Sequence, residues 1–204
     1  MTYLELRNAF KNRLIFSLAE IRLFETHFNL IQLLRWQKAG YIRKIIRGWY
    51  VFSDTPLSEE LLMFMANKII IPSYVSLEFA FSFYHLIPEG VFQITSITSK
   101  KTQQYNSLVA TFHYRHLKSE LMFGYHLETY SLSKICIADL EKAILDFLYL
   151  TPEADSHHYF DEMRLNADVL KKLDLAKLNV YLKIFNHTEL MRRTKRFLDY
   201  VNDQ

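Results

Sequence analysis

Apolar residues recur at helical spacing through the first forty positions and then at strand spacing. Over Tyr3–Arg13, Leu4 and Phe10, with Leu14 just beyond, predict a short amphipathic helix with these side chains inward. Ser17 followed three residues later by Glu20 is a capping box, in which hydroxyl and carboxylate satisfy the free amides of a helix start. Leu18, Ile21 and Leu23/Phe24 give that second helix its apolar face. Thr26 is placed to cap a third helix running to about Ala39, and Gly40 sits where a C-terminal cap needs positive φ. In the third helix Phe28, Leu30, Ile31, Leu33, Leu34 and Trp36 are apolar, while Asn29, Gln32 and Arg35 fall three apart and form one polar stripe. Beyond Gly40, YIRKIIRGWYVF reads as two β-rich runs with Arg47-Gly48 at the bend of a hairpin.

The pattern then changes. Thr55 as N-cap and Pro56 in the first helical position predict a helix to about Lys68. Ile69–Pro72 is a short strand or a stop, and Ser76–His85 an aromatic helix. Residues 91–99 alternate with period two and predict a strand, and Lys100–Gln103 a polar connection. Leu108–Arg115, Leu121–Tyr125 and Thr129–Ile135 are further strand candidates. Ile137–Leu150 is a strong helix with Leu140, Ala143, Ile144 and Phe147 inward. The remainder to Gln204 reads as helices broken near Thr151-Pro152, Asn166 and Asn186-His187. The expected fold is α+β: an N-terminal winged helix-turn-helix over residues 1–54, then a mixed α/β domain over 55–204 that ends in helices.

Composition narrows the function classes. The 204 residues are 50% hydrophobic and 23% charged, enough for a core without metals or disulfides. Gly40, Gly48, Gly90 and Gly124 are too far apart for a phosphate-cradling loop. One cysteine, Cys136, excludes a disulfide framework and a cysteine-based zinc site within one chain. The start of the chain shows no signal-peptide pattern and no uncharged apolar run is long enough to span a membrane, so a cytoplasmic protein is expected. The whole chain is +3, yet residues 1–52 hold nine cations (Arg7, Lys11, Arg13, Arg22, Arg35, Lys38, Arg43, Lys44, Arg47) against Glu5, Glu20 and Glu25. Six net positive charges gathered on the N-terminal quarter point to a polyanion partner.

The chemistry of the stripe fits DNA. Asn and Gln make paired hydrogen bonds to adenine, and Arg to guanine, on the major-groove edge. Helix–turn–helix followed by a basic hairpin is the winged-helix arrangement, in which the second helix of the pair enters the groove and the hairpin meets phosphate. The candidate DNA contacts are Thr26, His27, Asn29, Gln32, Arg35, Lys38, Arg43, Lys44 and Arg47. Lys100, Lys101, Arg115 and Lys118, with His116, form a second basic patch if their strands pair.

Other reactive residues read as structural. His113 and His116 diverge if one strand holds both, and His157-His158 falls in a solvated loop. Asp139-Leu140-Glu141-Lys142 resembles a nuclease carboxylate–lysine cluster, but on a helix Glu141 points away from Asp139 and Lys142. Cys136 reads as a small buried hydrophobe. Arg192, Arg193, Lys195 and Arg196 read as the wet side of a helix docked through Phe197 and Leu198, available to extend a DNA footprint. No catalytic residue, metal or cofactor is assigned.

Several blocks together carry a family resemblance. They are Pro72–Glu78, Leu86–Glu89, Ile94–Thr98 with Lys100–Thr102, Tyr114–Leu117, Phe123–Tyr125 and Glu141–Asp146, preceded by Arg47-Gly48-Trp49-Tyr50. Over roughly residues 15–150 the set resembles the AbiEi-type antitoxins of bacterial type IV toxin–antitoxin systems. The resemblance implies a cytoplasmic DNA-binding autorepressor that acts on inverted repeats in its own promoter. It also implies an antitoxin that opposes a nucleotidyltransferase-like toxin in abortive infection without needing a stable complex with it. The matching DNA-contact positions are Arg43, Lys44 and Arg47 and the third-helix stripe. A stand-alone regulator, and a nuclease-like enzyme using the winged helix as a substrate clamp, remain as alternatives.

Overall fold

The computed structural model describes residues 1–203 apart from Phe92 and Leu132. Phe92 of the expected strand 91–99, Leu132 of the expected strand 129–135, and Gln204 therefore lie outside the described residues.

The first 52 residues form α1 (Tyr3–Phe10), β1 (Phe16–Ser17), α2 (Leu18–Phe24), α3 (Leu30–Lys38), β2 (Ile42–Ile46) and β3 (Trp49–Phe52). The three strands make one antiparallel sheet in the order β1-β3-β2. The capping box at Ser17 and Glu20 starts α2. A second one, Thr2 with Glu5, starts α1. Gly40 ends α3 with φ +74, its amide bonded to Gln37 O and that of Tyr41 to Trp36 O, which closes a Schellman cap. Gly48, with φ +85, supplies the turn of the hairpin.

Two expectations about the helices are corrected. α1 stops at Phe10 and buries Leu6 and Phe10, one turn apart, leaving Leu4 in solvent. α3 begins at Leu30 because Asn29 is its cap, with Asn29 Oδ1 accepting from the Ile31 amide at 2.9 Å. Thr26 and His27 therefore precede the helix.

These elements enclose a core of their own: Leu6, Phe10, Phe16, Ile21, Phe28, Leu33, Trp36, Ile42, Tyr50 and Phe52. The hairpin also serves a second core. Side chains alternate along a strand, so Tyr50 and Phe52 face the small core while Val51 faces the larger one, with Ile15 and Ile45. Arg7 on α1 clasps Asp54 past the end of β3 through two bonds of 2.8 and 2.6 Å, with its guanidinium 4.4 Å from the Phe52 ring centre.

The larger part contains α4 (Glu59–Ile69), β4 (Ser73–Val75), α5 (Leu77–Phe83), β5 (Gln93–Thr98), β6 (Gln103–Asn106) and β7 (Thr111–His116). A 3-10 turn (Ser119–Leu121), β8 (Tyr125–Tyr130), β9 (Ser133–Ala138) and α6 (Leu140–Leu150) follow, then α7 (His157–Glu162), α8 (Ala167–Leu170), α9 (Leu175–Phe185) and α10 (Thr188–Asn202). Its six-stranded sheet has the order β6-β7-β5-β4-β9-β8, with β5/β7 and β4/β9 parallel and the other pairs antiparallel. The fold is thus mixed α and β. Among the described residues no helix is long and apolar enough to cross a membrane.

Several boundaries differ from expectation. Ser58, not Thr55, caps α4, with its hydroxyl accepting from the Leu61 amide. Ile69–Pro72 is a stop, and the strand lies just after it. Gln103–Asn106 is an edge strand whose polar sequence carries no apolar alternation to announce it. Leu121–Tyr125 is a turn through Gly124, at φ +68, and the expected strand Thr129–Ile135 is divided, with Thr129 and Tyr130 ending β8 and Ser133–Ile135 beginning β9. His157-His158 opens α7 under a Ser156 cap instead of lying in a loop.

Candidate nucleic-acid interface

The outer face of α3 is not the expected stripe. Leu33 and Trp36 point into the core, which turns Leu30, Ile31, Leu34, Arg35 and Lys38 outward. Leu30, Ile31 and Leu34 are 47%, 53% and 59% exposed, although the sequence pattern placed them inside. Asn29 is occupied as the cap, and Gln32 is half-buried with its Oε1 shielded and unpartnered among the described residues. Of the stripe, Arg35 alone is both outward and uncommitted to a cap. The pattern misled because the helix has more apolar residues than one buried face can take.

The hairpin divides its cations. Arg43 turns back, and its Nη2 donates to Thr55 O at 2.7 Å, tying β2 to the segment after β3. Lys44 and Arg47 are exposed. Arg47 closes a groove of about 640 Å³ between α2, α3 and the hairpin tip, lined also by Arg22, Leu30, Leu34 and Gln37. No carboxylate is among the described residues lining it. A second groove of about 430 Å³ runs from Gln37, Lys44 and Arg47 to Gln104 and Asn106 on β6. Arg22, Gln37, Gln104 and Asn106 thus belong to this surface and were not singled out from the sequence. Arg22 was legible only in the charge count, and the two β6 amides only once the edge strand exists. The carboxylates of Glu5 and Glu20 are folded back onto helix caps, which leaves the cations of this end unopposed by them.

The second basic patch is only partly assembled. β5 and β7 do pair, in parallel, and the Thr102 hydroxyl accepts from the His116 amide at 3.0 Å, which brings Lys100 and Lys101 to the sheet end that holds Lys118. Arg115 leaves this group, because its guanidinium donates to Leu150 O at the end of α6. The α10 cations are corrected as well. Arg193 is buried and donates to Leu148 O, while Arg192 and Arg196 both pair with Asp155 at 2.8 Å. Of the four, only Lys195 remains as a wet, unpaired cation among the described residues.

His113 and His116 both lie on β7, three apart, and the described residues contain no group of three His, Cys, Asp or Glu able to hold a metal. Burial and Arg115 push the His113 imidazole below its ordinary range. Cys136 is half-buried on β9, and burial pushes its thiol up, away from nucleophilic reactivity.

The Asp139–Lys142 segment splits differently from the expectation. Asp139 and Glu141 do converge on a lysine, but it is Lys177 of α9, at 2.8 and 3.3 Å. Asp139 also accepts from Tyr181 Oη at 2.7 Å and contacts His126 Nδ1 at 2.8 Å. Glu141 accepts from the Asp174 amide. Burial raises the Asp139 carboxyl, yet the bonds from Lys177, Tyr181 and His126 outweigh it and hold the carboxyl below its usual range. A carboxylate so satisfied is poorly poised as a general base.

Lys142 turns the other way, into a closed site. Its ammonium bonds Asp146 and donates to the Tyr74 hydroxyl at 2.8 Å. That hydroxyl and the Ser76 hydroxyl each donate to Asp146 Oδ2 at 2.9 Å. Gly124 packs against the lysine stem, and the Tyr125 ring stacks on Tyr74. The blocks around Tyr74, Gly124 and Lys142 that carried the family resemblance therefore meet at one buried centre.

Comparison with protein-family models and with curated proteins yields no match.

Proposed function

We propose that the chain binds double-stranded DNA through a winged helix formed by its first 54 residues, with α3 entering the major groove and the β2–β3 hairpin lying on phosphate. The observation that carries this reading is the shared groove: Arg22, Gln37 and Arg47 border the outward face of α3, with no carboxylate among the described lining residues. Lys38, Lys44 and Arg35 extend the positive surface to either side. A polyanion gains from such a surface by counterion release, and backbone contacts of this type set register on the duplex. The contact set is revised from the sequence expectation. Arg35, Lys38, Lys44 and Arg47 are retained, and Arg22, Gln37, Gln104 and Asn106 are added; Asn29 and Arg43 are given structural roles, Gln32 is left out because it is half-buried, and Thr26 and His27 because they precede α3.

Within that reading, the resemblance to AbiEi-type antitoxins supplies the biological role: a cytoplasmic autorepressor and antitoxin whose functional partner is a nucleotidyltransferase-like toxin. The test is a reporter driven by the chain's own promoter, with and without the chain, together with co-expression of the adjacent reading frame. Repression abolished in Arg35→Ala plus Arg47→Ala, and growth restored by the intact chain, support it. An unrepressed promoter and an indifferent neighbour sink it.

A second reading, a nucleic-acid-processing enzyme, draws on the convergence of Asp139 and Glu141 on Lys177. It requires cleavage or modification of DNA or RNA that disappears in Asp139→Asn and Lys177→Met. The saturation of Asp139 by three donors speaks against it.

A further inference from the structure

The outward face of α3 presents branched apolar side chains where hydrogen-bonding ones were expected. Leu30, Ile31 and Leu34 share it with Arg35 and Lys38. Hydrocarbon exposed in this way normally marks a contact surface. Its surroundings argue which kind. The adjoining groove is bordered by Arg22 and Arg47, and α3 carries no acidic residue in its first turn. Charge complementarity therefore favours a polyanion over a neutral or basic protein.

Leucine and isoleucine cannot answer the donors and acceptors of base edges. In the major groove they can make only apolar contact, and the apolar group that B-DNA offers there is the 5-methyl of thymine. The spacing is compatible. Residues three or four apart on a helix advance about 4.5–6 Å, so Leu30, Ile31 and Leu34 span about one to two base steps of roughly 3.4 Å.

We infer that α3 selects its DNA by contact of Ile31 and Leu34, with Leu30, against thymine methyl groups, so that the preferred site is thymine-bearing at the positions α3 covers. Arg35 and Lys38 flank those contacts. The inference rests on the DNA-binding reading and adds the chemical feature that is read.

The test is fluorescence anisotropy of the full chain with three duplexes. One spans the stretch immediately upstream of its own reading frame, one is the same duplex with deoxyuridine in place of thymidine, and one is scrambled. Deoxyuridine preserves every hydrogen-bonding group and removes only the methyl. The expected result is binding to the uracil duplex weakened by about tenfold, as removing two buried methyl groups would give. Ile31→Ala and Leu34→Ala, both at exposed positions, are expected to bring that ratio toward one. Equal binding of thymine and uracil duplexes, with the native sequence still preferred over the scrambled one, overturns this inference and leaves the DNA reading intact. Equally weak binding to all three overturns both. Self-association of the free protein that Leu34→Asp abolishes, without a methyl effect, assigns the face to a second copy of the chain and also overturns it.

Discussion

Lys142 and Asp146, one turn apart on α6, form an ion pair whose side chains are both fully buried. The Tyr74 hydroxyl bridges them, Ser76 adds a donor, and the ammonium lies about 5 Å from the rings of Phe123 and Phe185. Burial lowers the lysine and raises the carboxyl from their ordinary values, so each charge depends on the other. Removing one partner strands the other in an apolar interior. Lys142→Met and Asp146→Asn are each expected to cost about 3–5 kcal/mol in denaturant unfolding, and the double replacement less than the sum. Additive, sub-kilocalorie effects would contradict this picture of the centre.

Gly124 has no freedom to take a side chain. Its φ is +68, and a Cβ there would lie 2.9 Å from Tyr181 Cε2 and 3.1 Å from Lys142 Cβ and Cγ. Gly124→Ala is expected to lower stability by about 1–3 kcal/mol, from left-handed strain and overpacking together. Gly40→Ala has the same φ penalty with open space around it, so its destabilisation should be the smaller of the two. Thermal melting of both variants measures the difference.

The Asp139 cluster predicts a pH dependence. Its carboxyl is held below the usual range in the fold, while the unfolded value is about 3.9. A depressed carboxylate contributes stability that is complete above the unfolded pKa and is lost as pH falls through the folded one. Asp139→Asn should therefore lower the urea midpoint near neutral pH, and the gap from the parent should narrow as pH falls below the unfolded value and through the lower folded one. A gap that stays constant with pH would assign the destabilisation to packing instead.

The hairpin cations should separate by role. Lys44→Ala and Arg47→Ala are expected to weaken DNA binding and to reduce the salt slope by about 0.9 for each phosphate that is no longer neutralised. Arg43→Ala removes a bond to the Thr55 carbonyl and leaves that acceptor behind, so it should lower stability by about 1–3 kcal/mol. Salt titrations and unfolding curves on the three variants distinguish the two behaviours.

Local signals carried much of this architecture. The capping box at Ser17–Glu20, the glycine after α3 and the Arg47-Gly48 bend are each written within a few residues, and each stands where the sequence places it; the apolar run expected as a helix over Ile137–Leu150 is helical from Leu140, with Ile137 and Ala138 ending β9. What failed needed tertiary information. β6 exists because β7 offers it an edge, not because QQYN favours a strand. Arg43, Arg115 and Arg193 looked like free cations, but each is anchored to a carbonyl distant in sequence. The apolar outer face of α3 was invisible because periodicity assigns hydrophobic residues inward and cannot see that Leu33 and Trp36 already fill the inner face.

The most direct test of DNA binding is anisotropy of the full chain with its own upstream duplex and with a scrambled one, each over a salt series. The native duplex is expected to bind tighter by about 4 kcal/mol or more, and affinity for both is expected to fall steeply as salt rises. Equal, weak binding to both duplexes would contradict a DNA-binding role for this chain.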